Sequence, residues 1–274
     1  MNSLQLVYKQ KHALWLKVLF ASFAISNQKI KDELYEMANI EFRHMKWISN
    51  ALKEQNLEYN YERDMINIQK ESNHDYFAYL MGEIQLVMKT YNPDEPLFAR
   101  MMSDEYYFLK RLDFLLGGGN DEITAFNKQR KYEDKNLDAT STDALTYFLF
   151  EESYKEYELI MVYAYMQNYT DNSTLYNVYQ DLIDESQYHL KCFGNMLGKM
   201  GILALPRIII EEIYKRDDLK QFFLDGIDEE KAAKEECRKL AEAVKDDQLA
   251  TFFEYINYQE NYHIELMQKA ISEL

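Results

Sequence analysis

Residues 173–200 read STLYNVYQDLIDESQYHLKCFGNMLGKM. Leu175, Val178, Leu182, Phe193 and Met196 recur at helical intervals and lay an apolar stripe along one face, so the segment reads as an α-helix. Charged groups normally occupy the face opposite such a stripe. Here Glu185 and His189, one helical turn apart, interrupt it. The pattern recurs along the chain. Residues 247–272 carry Leu249, Phe252, Ile256, Met267 and Ala270 in register with Glu260 and His263. Residues 29–55 carry Leu34, Met37, Ala38, Ile48 and Leu52 with Glu41 and His44. Residues 143–168 place Glu152 on the stripe of Phe148, Leu149, Leu159, Ile160 and Tyr163, and residues 74–91 align Glu83 with Leu80 and Val87. Helices are also expected over 4–26, 96–117 and 229–245, with a further short one between Pro206 and Lys220.

Composition agrees with an all-α chain. Only 8 Gly and 3 Pro punctuate 274 residues, whereas a β sandwich or barrel needs a turn signal every ten residues or so. A hydrophobic fraction of 47% suffices for a packed core and argues against disorder. The net charge of −16 would repel a phosphate backbone, so no nucleic acid partner is expected. The apolar stretch Ala13–Ile25 contains Lys17 and is shorter than a membrane span, so it reads as a buried helix and no membrane partner is expected. Cys192 and Cys237 have neither metal-type spacing nor the numbers for a disulfide framework, which fits a cytoplasmic protein with two buried thiols.

Asn73 and Asp143 are expected as N-caps, Pro96 in a first turn, and Gly117-Gly118-Gly119 and Gly201 as helix stops. The polar stretch from Gly117 to Ala144 reads as a linker, giving helical units over 1–118 and 140–274. Local matches suggest that the halves repeat one another. His44, Asn50 and Leu52 have the spacing of His189, Asn195 and Leu197, while Met101, Asp104, Glu105 and Phe108 have that of Ile256, Gln259, Glu260 and His263.

For a single Glu/His pair, an intrahelical hydrogen bond is the simpler reading. Several such pairs on buried stripes are different, because an unpartnered buried carboxylate costs several kcal/mol and a bound cation removes that cost. Other chemistries lack their motifs: there is no P-loop, no Gly-x-Ser-x-Gly elbow and no Cys-x-x-Cys, and Gly117–Gly119 follows a helix. His74 reads as helix-start surface, and Asp228-Glu229-Glu230 as an acidic helix N-terminus. Tyr154, Tyr163, Tyr179, Tyr188 and Tyr262 read as core packing, with a radical or proton role for one near a metal as the alternative.

Inward carboxylates on four helices, with a Glu-plus-His pair on alternate ones, resemble the ferritin-like diiron-carboxylate superfamily, which includes rubrerythrins, ferritins and oxygen-activating oxidases and hydroxylases. The resemblance implies two tandem ferritin-like four-helix bundles and two iron (or manganese) ions per chain in the second half. It assigns Glu152 and Glu236 as terminal ligands, with Glu230 as substitute for Glu236, Glu185 and Glu260 as bridging ligands, and His189 and His263 as one imidazole per metal. There are departures. His189 follows Glu185 by four residues rather than three. The first half keeps Glu41, His44, Glu83 and Glu105 but has Phe108 in place of the fourth-helix histidine, and Lys9, Lys11 and His12 where an acid belongs. A degenerate first site with a lysine paired to the remaining carboxylates is expected. The implied function is an oxidoreductase using O2 or peroxide. A separate electron donor is expected as a partner, and a second copy of the chain is a candidate. The alternatives are a ferroxidase-type iron-binding protein and a metal-free helical interaction module.

Overall fold

The computed structural model describes residues 3–118 and 135–274, and among these it is all-α, with nine helices and no strand. The chain divides into two compact units, Met1–Gln129 with Gly201–Ile208, and Arg130–Met200 with Ile209–Leu274. Most of the expected linker lies outside the described residues, as does Gly119. Its last part is helix instead. No helix among the described residues is long and apolar enough to cross a membrane.

The first unit contains α1 (Ser3–Ala24), α2 (Gln28–Glu54), α3 (Asn73–Met88) and α4 (Pro96–Gly117). α1 packs on α2 and α3, and α4 packs on both of those, which closes a four-helix circuit. The middle of α1 has no polar face: Leu14, Trp15, Leu16, Phe20 and Phe23 are all buried, as expected for Ala13–Ile25. Burial of each such side chain contributes about 1.5–3 kcal/mol, so α1 is the main apolar ballast of this unit. Arg63, in the connection between α2 and α3, anchors the returning segment by donating to the carbonyls of Pro206 at 2.6 Å and Arg207 at 3.0 Å.

The second unit contains α5 (Ala139–Tyr169), α6 (Ser173–Lys199), the one-turn α7 (Glu211–Tyr214), α8 (Leu219–Val244) and α9 (Asp247–Glu273). α5 packs on α6, α7 and α8, while α9 packs on α6 and α8. Edge-to-face contacts of Phe148 with Phe193 and Phe253 join three of these helices, with centroids 6.0 and 5.5 Å apart. Tyr163 and Tyr179 lie in the core as expected, but Tyr188 and Tyr262 reach the surface and Tyr154 is half-buried.

Several helix starts differ from the sequence reading. The N-cap of α3 is Ser72, whose hydroxyl accepts from Asp75 N–H at 3.1 Å, and Asn73 is the first helical residue. The N-cap of α5 is Asp138, accepting from Ser141 N–H at 2.7 Å, so Asp143 lies inside the helix. In α8 the start moves furthest. Asp218 caps it, and Asp228, Glu229 and Glu230 fall in the middle of the helix rather than at its N-terminus. Pro96 occupies the first turn of α4, and α6 stops before Gly201, whose φ of 76° is open to glycine at little cost.

Candidate metal centre

In the second unit α5, α6, α8 and α9 each direct acidic or imidazole side chains into one buried cluster. His189 and His263 lie with ring centroids 5.0 Å apart. His189 Nδ1 donates to Glu156 Oε1 at 2.8 Å and lies 3.7 Å from Glu260 Oε1. His263 Nδ1 lies 3.1 Å from Glu260 Oε2 and 3.4 Å from Glu230 Oε1. Glu260 therefore stands between the two imidazoles, and Glu156 and Glu230 flank them. Glu185, half-buried, joins His189 and His263 in a group whose donor atoms all lie within 4.8 Å of one another. Gln259 spans this edge, accepting from His189 Nε2 at 3.2 Å and donating to Glu185 Oε2 at 3.5 Å.

Of the expected ligands, the structure brings together Glu185, His189, Glu260 and His263, with Glu230, the substitute, as the α8 acid. Glu236 is exposed and joins no group. A helix that begins at Leu219 rather than 229 carries Glu230 on its inner face, in register with Ile227 and Cys237. Glu152 is buried, but it accepts from Lys155 at 2.6 Å and belongs to no group; the α5 member is Glu156, one turn further on. The signal that finds Glu156 is spacing. Glu156 precedes His189 by 33 residues, and Glu230 precedes His263 by the same number.

The electrostatics are those of a site crowded with acid. Burial, aided by Glu230, pushes the Glu260 carboxyl up to about 8 against the pull of His263. Burial also works against Glu230, but the proton of His263 outweighs it and holds that carboxyl low. Burial disfavours both imidazolium ions, yet the surrounding carboxylates win, so His189 is raised and His263 is raised well above its ordinary value. The imidazoles thus share the site with carboxylates that favour their charged form. Polar satisfaction is incomplete, because Glu156 Oε2, His263 Nε2 and the Tyr163 hydroxyl have no hydrogen-bond partner.

The first unit solves the same problem differently. Lys11, fully buried on α1, is ion-paired to Glu41 on α2 and Glu105 on α4, both fully buried. Tyr91 donates to Glu105 at 3.0 Å, and His44 contacts Asp104 at 3.0 Å while its Nδ1 lies 3.7 Å from Glu41 and 3.8 Å from Glu105. Burial alone would strip the proton from Lys11, but the two carboxylates raise its pKa and keep it an ammonium ion. Burial likewise works to raise Glu41, but Lys11 and His44 hold it down at about 2, while burial and Glu41 push Glu105 up to about 8. Glu83 lies apart from this cluster and pairs with Lys17 at 2.6 Å. Lys11 precedes His44 by the same 33 residues that separate Glu156 from His189, so an ammonium stands where the second unit has a carboxylate.

Cys237 is buried and Cys192 half-buried, and both are free thiols; burial raises the pKa of each, which leaves neither activated as a nucleophile. Comparison of the chain with protein-family models, curated proteins and solved structures finds no match.

Proposed function

We propose that the chain is a ferritin-like carboxylate protein with two four-helix units, the second of which holds two iron or manganese ions and acts as an oxidoreductase on O2 or peroxide. The observation that carries this reading is the contrast between the two clusters. Both bury several acids, but only the first has a lysine to balance them. The residues of the second cluster fit a pair of ions. Glu156, Glu185, Glu230 and Glu260 offer oxygen donors and His189 and His263 nitrogen donors, a set suited to iron, manganese or zinc. Two of these six, Glu156 and His263, carry a buried polar atom that no protein group satisfies. The four-helix circuit of each unit supports the same reading.

Glu156 with His189 and Glu230 with His263 would hold one ion each, with Glu260 shared between them and Glu185 on the more exposed side. Such a pair supplies redox chemistry that protein side chains lack. The chain contributes geometry and proton control. Gln259 fixes the orientation of His189 by bonding the ring nitrogen that faces away from Glu156. The Tyr163 hydroxyl, buried beside Glu156 and Glu230 and held well above its ordinary pKa by burial and by those carboxylates, keeps its proton available to an oxygen in the site.

The test is metal content per chain in protein purified without added metal, compared with a His263→Ala/Glu230→Gln variant. Close to two iron or manganese ions per chain are expected in the parent and fewer than one in the variant. A chain that takes up no divalent metal, and whose melting temperature is unchanged by a chelator, would instead be a helical interaction module.

A further inference from the structure

A cavity of about 710 Å³ opens between α5 and α8, with α7 and the residues after it at its mouth. Glu156, Glu230 and Tyr163 line its inner end, so it reaches the carboxylates of the candidate centre directly. Its lining contains nine carboxylates and three cationic side chains. Two of those cations are already committed: Lys155 to Glu152 at 2.6 Å, and Lys215 to Glu211, outside the lining, at 3.2 Å. The third, Arg216, lies over the Phe222 ring and donates to Ile213 O at 2.8 Å. The acidity of the mouth would mean little alone. What gives it a destination is the inner end, where Glu156 Oε2 and the Tyr163 hydroxyl have no partner, although these residues are only 5% and 1% exposed.

We propose that this cavity is the route by which a hydrated divalent cation reaches the centre, an inference that rests on the metal-binding reading above. A cleft lined by one sign of charge, with low-dielectric walls, concentrates ions of the opposite sign and raises their association rate by about 10- to 1000-fold. Glu212, Asp217, Asp225 and Glu229 gather the cation at the mouth. Glu156 and Glu230 then exchange its water for carboxylate oxygens, and the unpartnered Tyr163 hydroxyl offers a hydrogen bond to the water that remains. The apolar side chains of Leu159, Val162 and Phe222 form the low-dielectric wall that this focusing requires.

The experiment is stopped-flow uptake of Co(II) by the full metal-free chain at low ionic strength, read by ligand-field absorption. The rim variant is Glu212→Gln/Asp217→Asn/Asp225→Asn/Glu229→Gln. A control removes the same charge elsewhere on the second unit, as Glu242→Gln/Glu254→Gln/Glu265→Gln/Glu273→Gln. The rim variant is expected to load about tenfold or more slowly and the control within twofold of the parent, both reaching the parent's final stoichiometry. Equal loading rates for rim variant and parent, or equal slowing in rim variant and control, would overturn the route and leave the centre standing. A lowered final stoichiometry in the rim variant would make those carboxylates ligands and also overturn it. If the parent takes up no Co(II), the centre itself falls and the route with it. Should the rim variant fail to fold, Lys215→Gln/Arg216→Gln decides: faster uptake supports the route, and an unchanged rate overturns it.

Discussion

One side chain, Lys11, sets the charge of the first cluster apart from that of the second. Lys11 fills with an ammonium the position that Glu156 fills with a carboxylate, and it faces two acids with no exposure to water. Removing one partner of a buried ion pair leaves an uncompensated charge and costs about 3–5 kcal/mol. Lys11→Met is therefore expected to destabilise the first unit by that amount at neutral pH. Because the donor atoms of Glu41, His44 and Glu105 lie within 4.8 Å of one another, Co(II) or Zn(II) should restore much of the loss in the variant. Thermal melts with and without the ion check this, and a variant that melts identically in both would contradict it. Five histidines in 274 residues made His44, His189 and His263 easy to pick out of the sequence. Glu156 is masked in the sequence because Glu152 occupies the same face one turn earlier; the 33-residue spacing to His189 picks out Glu156, and the proximity of Lys155 shows that Glu152 is already paired.

At the scale of the helix, α8 holds the largest departure from the sequence pattern. Its N-terminal half includes Gly226 and is rich in acid, which masked the apolar register of Phe223 and Ile227 and placed the expected start ten residues late. Gly226 faces α9 closely. A Cβ at this position would lie 3.3 Å from Sδ of Met267, one turn beyond His263 on α9. A branched side chain asks the thioether to move further than a lone Cβ does, so Gly226→Val is expected to cost about 1–3 kcal/mol through overpacking. A lowered urea midpoint with an unchanged slope would record it, whereas an unchanged midpoint would show that α8 and α9 have slack at this crossing. Helix ends were legible where the cap chemistry was unique, as at Pro96 and Gly201. They were not where polar residues stand in series, because Ser72 and Asn73, or Asp138 and Asp143, offer equivalent caps until packing selects one.

For the molecule as a whole, buried acid dictates the response to pH and to metal. Glu260 and Glu105, raised to about 8 from an ordinary 4.5, and Glu152, raised to about 7, keep protons in the folded chain that the unfolded chain releases. The folded state then binds more protons across that window, so its stability falls as pH rises through it; His189 and His263, raised from 6.5, add to the slope. Glu41 and Asp104 are lowered, and the stability they contribute is lost on acidification below their ordinary values. The metal-free chain is therefore expected to melt highest near pH 5 and lower at pH 8, while the stabilisation given by added Mn(II) grows over the same interval as the ligands shed their protons. Melting temperatures in chelator that climbed from pH 5 to pH 8 would contradict the assignment. The all-α class was legible from scarce glycine and proline and from periodic stripes. The pairing of helices was not, since it depends on contacts between residues far apart in sequence.

The spacing of the Lys11 cluster along the chain also orders its assembly. Lys11 and Glu41 are 30 residues apart, and Glu105 is 94 residues from Lys11. On a growing polypeptide, the hairpin of α1 and α2 can close on a pair whose charges already cancel, long before α4 is synthesised. Glu105 then joins a pair that is already neutral, at a position where burial and Glu41 favour its protonated form. The nascent first unit can thus bury its polar centre in two electrically balanced steps, without waiting for an ion from solution.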